Sequence, residues 1–319
     1  MKNHFFKSRP IGVAAISGLL AVVSACGGGG GANSGPNNSE LLVTAKVSTV
    51  SVGSLMYGKS AIFTVTGTNL NQGQGVKVSA TGCQTPTLMT TPPAANSSTT
   101  AHFECNDLAM GAGTFVVTAV GVAAPLWTEN FAVPAPQVTM ALKNGGNGVD
   151  GTIVLTLFPD KTPLTVKNFL AYVNNNFYND TVIHAVAPGY AIQGGGAIVD
   201  PASGGSLILK TTSLESIPLE VNKGLHNIEG TIAMTYNRFI GTKATSQFFI
   251  NLRDNSDLFD PNPGFPTGYA VFGEVSGGAD TVASIGSAPC IANALLGIDG
   301  TLGCTPTPYV IITKATQTR

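Results

Sequence analysis

Pro188-Gly-Tyr-Ala-Ile-Gln-Gly-Gly-Gly196 is the stretch on which the reading of this chain turns. Taken alone, Gly194 to Gly196 is the kind of tract that cradles a phosphate, but no Lys-Ser/Thr follows it, and a tight turn in a β structure is the better account. The residues upstream support a β setting. Val138, Met140 and Leu142 alternate with polar neighbours, Asn144-Gly-Gly-Asn-Gly148 turns the chain, and Ile153, Leu155 and Leu157 alternate back, which predicts a hairpin. A helix follows. Thr162 is placed to cap it, Pro163 takes its first position, Val166, Phe169, Leu170 and Val173 share one face, and Asn174-Asn175-Asn176 ends it.

Three more stretches follow downstream: Gly230-Thr-Ile-Ala-Met234, Ala244-Thr-Ser-Gln-Phe-Phe-Ile-Asn251 and Tyr269-Ala-Val-Phe-Gly273. With Pro188–Gly196 they stand in the order and approximate spacing of cyclophilins of the bacterial type, and the resemblance runs from about residue 137 to 319. It implies a closed eight-stranded β-barrel with two helices, the second near Asp280 to Ile285, where Val282 and Ile285 supply the apolar spacing. It also implies peptidyl-prolyl cis-trans isomerase activity without a cofactor, on Pro-containing unfolded or extended polypeptides. By position, Gln193, Phe249 and Tyr190 are the candidate catalytic residues, and Gln247, Thr235, Tyr236, Phe259, Leu258, Tyr269 and His184 line the candidate substrate groove. Period-two alternation further predicts that Phe248 and Phe249 point to opposite faces of their strand, one to the core and one to the groove.

Departures from the family pattern bear directly on rate. Where such proteins carry an arginine that donates to the prolyl nitrogen, this chain has Ala185. Ala191 replaces a pocket methionine, Tyr190 the usual phenylalanine, Thr235-Tyr236 the usual Ala-Asn or Ala-Arg, and Leu258 the aromatic residue associated with cyclosporin binding, so low cyclosporin sensitivity is expected. Loss of one preorganised donor typically costs about 10²–10³ in rate, which predicts weak activity. The remaining alternative is a proline-peptide-binding module without catalysis. Arg238 either substitutes as a donor or, the favoured reading, faces solvent from its loop. His184 is read as a packing and hydrogen-bonding residue, because the reaction moves no proton.

The N-terminal third has a different character. Lys2, Lys7 and Arg9 precede an uncharged run from Ile11 to Ala25, too short to span a bilayer, and Val23-Ser24-Ala25-Cys26 resembles the lipobox of bacterial lipoproteins. Residues 1–25 are therefore expected to be a lipoprotein signal peptide, Cys26 the lipidated residue, and residues 26–40, rich in Gly, Asn and Ser, a flexible tether. This places the protein outside the cytoplasm, held to a bacterial membrane and facing the periplasm or the cell exterior. Between residues 41 and 135, short β-branched runs predict a sandwich, and Phe63-Thr-Val-Thr-Gly-Thr-Asn-Leu70 resembles immunoglobulin-like modules of bacterial surface proteins. The cyclophilin-like part then occupies residues 136–319. The fold class expected is mainly β, an immunoglobulin-like β-sandwich followed by a cyclophilin-type barrel.

Composition narrows the classes of function. Sixteen basic against 17 acidic side chains leave no basic footprint, so nucleic acid is not an expected partner. Five cysteines become one lipidated residue and two disulfides if neighbours in sequence pair, Cys83 with Cys105 and Cys290 with Cys304. No C-x-x-C spacing suggests zinc, and Asp254-Asn-Ser-Asp-Leu-Phe-Asp260 lacks the oxygen and glycine positions of a calcium loop, so it is read as a polar loop framing the pocket and no metal is expected. With no G-x-S-x-G, a hydrolase has little support. The protein is expected to act as a monomer.

Overall fold

The computed structural model describes residues 44–91, 95–144, 150–236, 243–292 and 303–319; Cys26, the signal and the tether, the 145–149 turn and Arg238 lie outside the described residues. Seven strands come first: β1 (Lys46–Val52), β2 (Ala61–Thr68), β3 (Val76–Ala80), β4 (Thr87–Leu88), β5 (Thr100–Cys105), β6 (Gly111–Ala119) and β7 (Pro125–Val133). They form two antiparallel sheets ordered β1-β2-β5-β4 and β3-β6-β7. Strand alternation turns Phe63 and Val65 of β2, Phe103 of β5, and Phe115 and Val117 of β6 into a shared core. There the Phe63 and Phe115 rings stack with centroids 4.3 Å apart, and Phe131 meets Phe63 edge-on at 5.2 Å. The Cys83–Cys105 disulfide, Cα to Cα 5.8 Å, ties the segment after β3 to the end of β5, in the other sheet.

The barrel strands are β8 (Gln137–Lys143), β9 (Gly151–Leu157), β10 (Thr181–Ala187), β11 (Ala191–Val199), β12 (Leu207–Leu209), β13 (Ile217–Pro218), β14 (Thr231–Tyr236), β15 (Lys243–Asn251), β16 (Ala270–Gly277), β17 (Cys290–Ala292), β18 (Cys304–Pro306) and β19 (Val310–Gln317). Eight of them make a closed ring, β11-β15-β14-β16-β9-β8-β19-β10, because β10 pairs back onto β11. β12 extends β11, β13 extends β15, and the β18–β17 ribbon, closed by the Cys290–Cys304 disulfide, extends β10. The predicted hairpin is β8–β9, and its six alternating apolar residues are all buried.

Helix α1 (Pro163–Asn174) ends where the asparagine run begins and buries Val166, Phe169, Leu170 and Val173. The cap differs from the sequence reading. The Thr162 hydroxyl donates back to the Phe158 carbonyl instead of accepting from the helix, and the free N–H of Thr165 is satisfied by the Glu220 carboxylate at 2.7 Å. A charged acceptor from a distant loop replaces the local one, which no local pattern reveals. A four-residue helix α2 (Ser256–Phe259), additional to the two expected, interrupts the polar loop, and α3 (Ala279–Gly286) buries Val282 and Ile285.

Phe169 plugs the barrel, with ring centroids 5.9 Å from Phe248, 5.2 Å from Tyr178 and 5.0 Å from Phe272. The sandwich touches this end of the barrel: Gln317 Nε2 donates to the Tyr57 carbonyl at 3.0 Å, and Lys167 lies 3.3 Å from Asp107. That ion pair is largely exposed and contributes little. Truncating the plug has a larger consequence. Phe169→Ala is expected to cost about 3–5 kcal/mol, read as a lowered denaturation midpoint in urea.

Candidate functional site

One row of directly opposed residues crosses five strands of the barrel: Ala185 (β10), Gln193 (β11), Phe249 (β15), Ala233 (β14) and Val271 (β16). Phe248, one residue from Phe249, points the other way and packs against Phe169 and Tyr178 inside the barrel, so the two aromatics divide between core and groove as period two predicts. On the groove face a second apolar cluster forms, separate from the barrel core. It gathers Ala191, Ala233, Tyr236, Phe249, Tyr269 and Val271, with Leu219, Leu225, Phe259 and Phe265 against them. Phe249 meets Phe259 and Tyr269 edge-on at 5.4 and 5.1 Å, Tyr236 lies 5.4 Å from Tyr269, and Phe265 5.2 Å from it. The Tyr236 hydroxyl is hydrogen-bonded to that of Thr267, which holds the phenol at the groove wall.

Polar groups sit at the Ala185 end of the row. Gln193 Nε2 donates to Gln247 Oε1 at 2.9 Å, while Gln193 Oε1 is buried with no partner among the described residues. The glycine tract makes this pairing fit. A Cβ on Gly196 would stand 2.4 Å from Gln247 Cγ, and Gly195 has a φ of +82° that only glycine adopts without strain. The tract therefore serves packing against β15.

His184 is the extra residue of a β-bulge, since two residues of β10 span one of β11 between the pairs Ile183–Gly194 and Ala185–Gln193. It is 1% exposed, and its Nδ1 lacks a hydrogen-bond partner among the described residues. Burial drives the imidazole pKa down to about 4, against the weaker opposing pull of the Val182 backbone and the Gln247 side chain. A neutral ring at pH 7 suits a structural residue. The Thr305 hydroxyl donates to the His184 carbonyl at 2.8 Å, so the bulge is also held from β18.

Other residues named from sequence lie at the rim. Thr235 is half-buried, its hydroxyl 3.5 Å from the Gln247 carbonyl, and Leu258 on α2 is 45% exposed. Tyr190 departs from the expected pocket wall. It is 41% exposed in the β10–β11 turn and has no ring contact with the Phe249 cluster among the described residues; the Arg253 guanidinium lies over its ring at 3.9 Å. An exposed phenol and a nearby cation favour each other over burial beside hydrocarbon.

Sequence reading gave no role to the asparagines beneath this rim. Asn255 Nδ2 donates to the Tyr190 carbonyl and to Asn251 Oδ1, both at 2.8 Å. Asn251 donates onward to Thr231 Oγ1 at 2.9 Å, and Asn227 donates to Asp260 at 2.8 Å and to the Tyr269 carbonyl at 3.3 Å. All three asparagines are at most 1% exposed, so the network fixes the β10–β11 turn, the end of β15 and Tyr269 relative to one another. Asp260 thereby acts as a framing residue of the polar loop. The clustering of Asn and Asp after β15 was a usable signal, whereas Asn227 and Phe265 stand in no pattern that marks them.

A family model described as "Cyclophilin type peptidyl-prolyl cis-trans isomerase/CLD" matches residues 138–314, more than half of the chain. The chain is 43% identical over 136 residues to peptidyl-prolyl cis-trans isomerase B of Escherichia coli (strain K12), covering 42% of this chain and 78% of that protein. It is 40% identical over 139 residues to a peptidyl-prolyl cis-trans isomerase of Acinetobacter baylyi, covering 44% of this chain and 69% of that one. Among solved structures, a cyclophilin-type isomerase of Cryptosporidium parvum aligns with 58% of this chain and 98% of its own, at 21% identity and a TM-score of 0.42.

The His184 environment generates a pH dependence. Unfolded, the imidazole titrates near 6.5; folded, it stays neutral down to about 4. The unfolded state therefore binds the extra proton between these values, and stability present above pH 6.5 is lost as pH falls toward 4, by up to about 3 kcal/mol. A series of urea midpoints between pH 7.5 and 4 checks this, and His184→Gln should flatten that part of the curve.

Proposed function

We propose that this chain, which belongs to the cyclophilin-type peptidyl-prolyl cis-trans isomerase family, catalyses isomerisation of X-Pro bonds in exported polypeptides at a rate limited by Ala185. Rotation about an X-Pro bond meets a barrier of about 18–20 kcal/mol set by amide resonance, and no covalent bond is made or broken. A catalyst lowers it by binding the twisted amide better than the planar one. In the groove, Phe249, Tyr269 and Phe259 offer an apolar wall for the proline ring, and the paired amides of Gln193 and Gln247 offer hydrogen bonds to the peptide backbone.

The observation that carries the reduced rate is the pairing of Ala185 with Gln193. A methyl group stands directly across from a buried carboxamide oxygen that has no donor among the described residues. Groups buried in this way normally have a partner. An arginine at this position would donate both to Gln193 Oε1 and toward the twisted prolyl nitrogen, and alanine supplies neither bond. The same observation favours a second reading, a non-catalytic module that holds proline-bearing segments in the groove.

Residues outside the barrel extend the proposal. We read residues 1–25 as a lipoprotein signal, Cys26 as the lipid-bearing residue and 26–40 as a tether, supported by the basic head, the apolar run and the small residues before Cys26. Residues 41–135 are read as an immunoglobulin-like module. In support, the order β1-β2-β5-β4 with β3-β6-β7 is the A-B-E-D with C-F-G arrangement of constant-type immunoglobulin domains. Slow X-Pro isomerisation limits folding of exported chains, which gives a tethered isomerase its use.

Exchange spectroscopy by NMR on an Ala-Pro tetrapeptide tests the activity: at tens of micromolar protein, cis-trans exchange should rise measurably above the uncatalysed rate. Absence of any rise while the peptide still binds leaves the module reading. In the same assay Ala185→Arg is expected to raise the rate at least about tenfold.

A further inference from the structure

We propose that the β6–β7 hairpin of the sandwich is a membrane-contacting tip, lying at the headgroup boundary of an anionic bilayer. Val120-Gly-Val-Ala-Ala-Pro125 carries no charge and no polar side chain, and all six residues are exposed, Val120 by 50% and Val122 by 40%. Neither valine belongs to a hydrophobic core cluster among the described residues. What covers them follows from where the hairpin points and from what surrounds it.

The end of the sandwich that carries this hairpin is the end at which the chain arrives from Cys26. Asn69 Nδ2 reaches the Thr44 carbonyl at 3.5 Å, Lys46 pairs with Thr68, Val120 N–H donates to the Gly75 carbonyl at 3.1 Å, and Val76 pairs with Ala119. Thr44, the β2–β3 loop and the β6–β7 tip therefore share one end. The barrel attaches at the other, where Gly111 pairs with Val133 and Asp107 meets Lys167. Eight residues of β2 separate these ends by on the order of 25 Å. The chain from Cys26 thus enters the sandwich at the end where the uncharged tip projects, and the barrel attaches at the opposite end.

Charge follows the same polarity. Two of the sandwich's three lysines, Lys46 and Lys77, both exposed, lie toward the tip end, with Lys77 opposite Thr118, while Lys59 lies at the barrel end beside Leu108. Of the three acids in the sandwich, Glu104 and Asp107 lie toward the barrel end and Glu129 stands lower on β7, accepting from Trp127 Nε1 at 2.9 Å. Exposed apolar residues at an end that also carries two lysines, with a half-buried tryptophan behind them, suit an interface with anionic lipid. A second contact of this kind, apolar side chains seated at the headgroup boundary, adds to the retention supplied by the lipid on Cys26.

The inference rests on the anchored reading of Cys26, and one experiment separates the two. Trp127 is the chain's only tryptophan, so its fluorescence reports the hairpin. The full chain, purified from bacterial membranes, is mixed with vesicles of phosphatidylethanolamine and phosphatidylglycerol with brominated acyl chains. Sedimentation with vesicles reads the anchor, and quenching reads the tip. Expected are sedimentation with quenching of Trp127, stronger quenching when the reporter is moved outward in Val122→Trp/Trp127→Phe, and loss of quenching with retained sedimentation in Val120→Asp/Val122→Asp. Sedimentation without quenching, or quenching unaltered by the two aspartates, overturns the tip and leaves the anchor standing; failure to sediment overturns both.

Discussion

Closure of the barrel through the β10–β11 pair is the constraint from which the rest of the enzyme part follows. A strand ring without edges obliges alternate residues to face inward and outward on every strand. That obligation sends Phe248 to the Phe169 plug and Phe249 to the groove, and it lines up Ala185, Gln193, Phe249, Ala233 and Val271 as one row. The closing pair is also where the ladder is irregular. Its bulge turns His184 into a buried neutral residue and aligns Ala185 with Gln193.

Around that row the groove is fixed by two kinds of interaction. Aromatic edges set the apolar wall, and the Asn227–Asn251–Asn255 network sets the turn that carries Tyr190. Buried amides of this kind are satisfied only in one arrangement, so they stiffen the rim at little net gain in stability. Gln193 Oε1 lies outside that network, opposite Ala185 and without a hydrogen-bond partner among the described residues.

Most of the architecture was legible because it rests on periodicity. The β8–β9 hairpin, the buried face of α1, the position of α3 and the division of Phe248 from Phe249 all follow from spacings of two or of three and four. Both disulfides join the cysteines nearest in sequence, with Cα separations of 5.8 and 5.4 Å. The helix cap was misread because Glu220, 55 residues away from Thr165, supplies it. The exposure of Tyr190 was not legible, because a motif position records residue type and order, while exposure depends on neighbours such as Arg253 that arrive from the segment after β15.

By itself, then, the sequence determined the family, the β-rich order of the elements, Gln193 and Phe249 as candidates for the groove and the absence of an arginine at position 185, since each is written in local spacing or residue identity. Tertiary structure alone decided which polar atoms are left without partners, which asparagines hold the rim, and that the uncharged β6–β7 tip shares an end with Thr44. These depend on groups tens of residues apart meeting in space, and no window along the chain contains both partners.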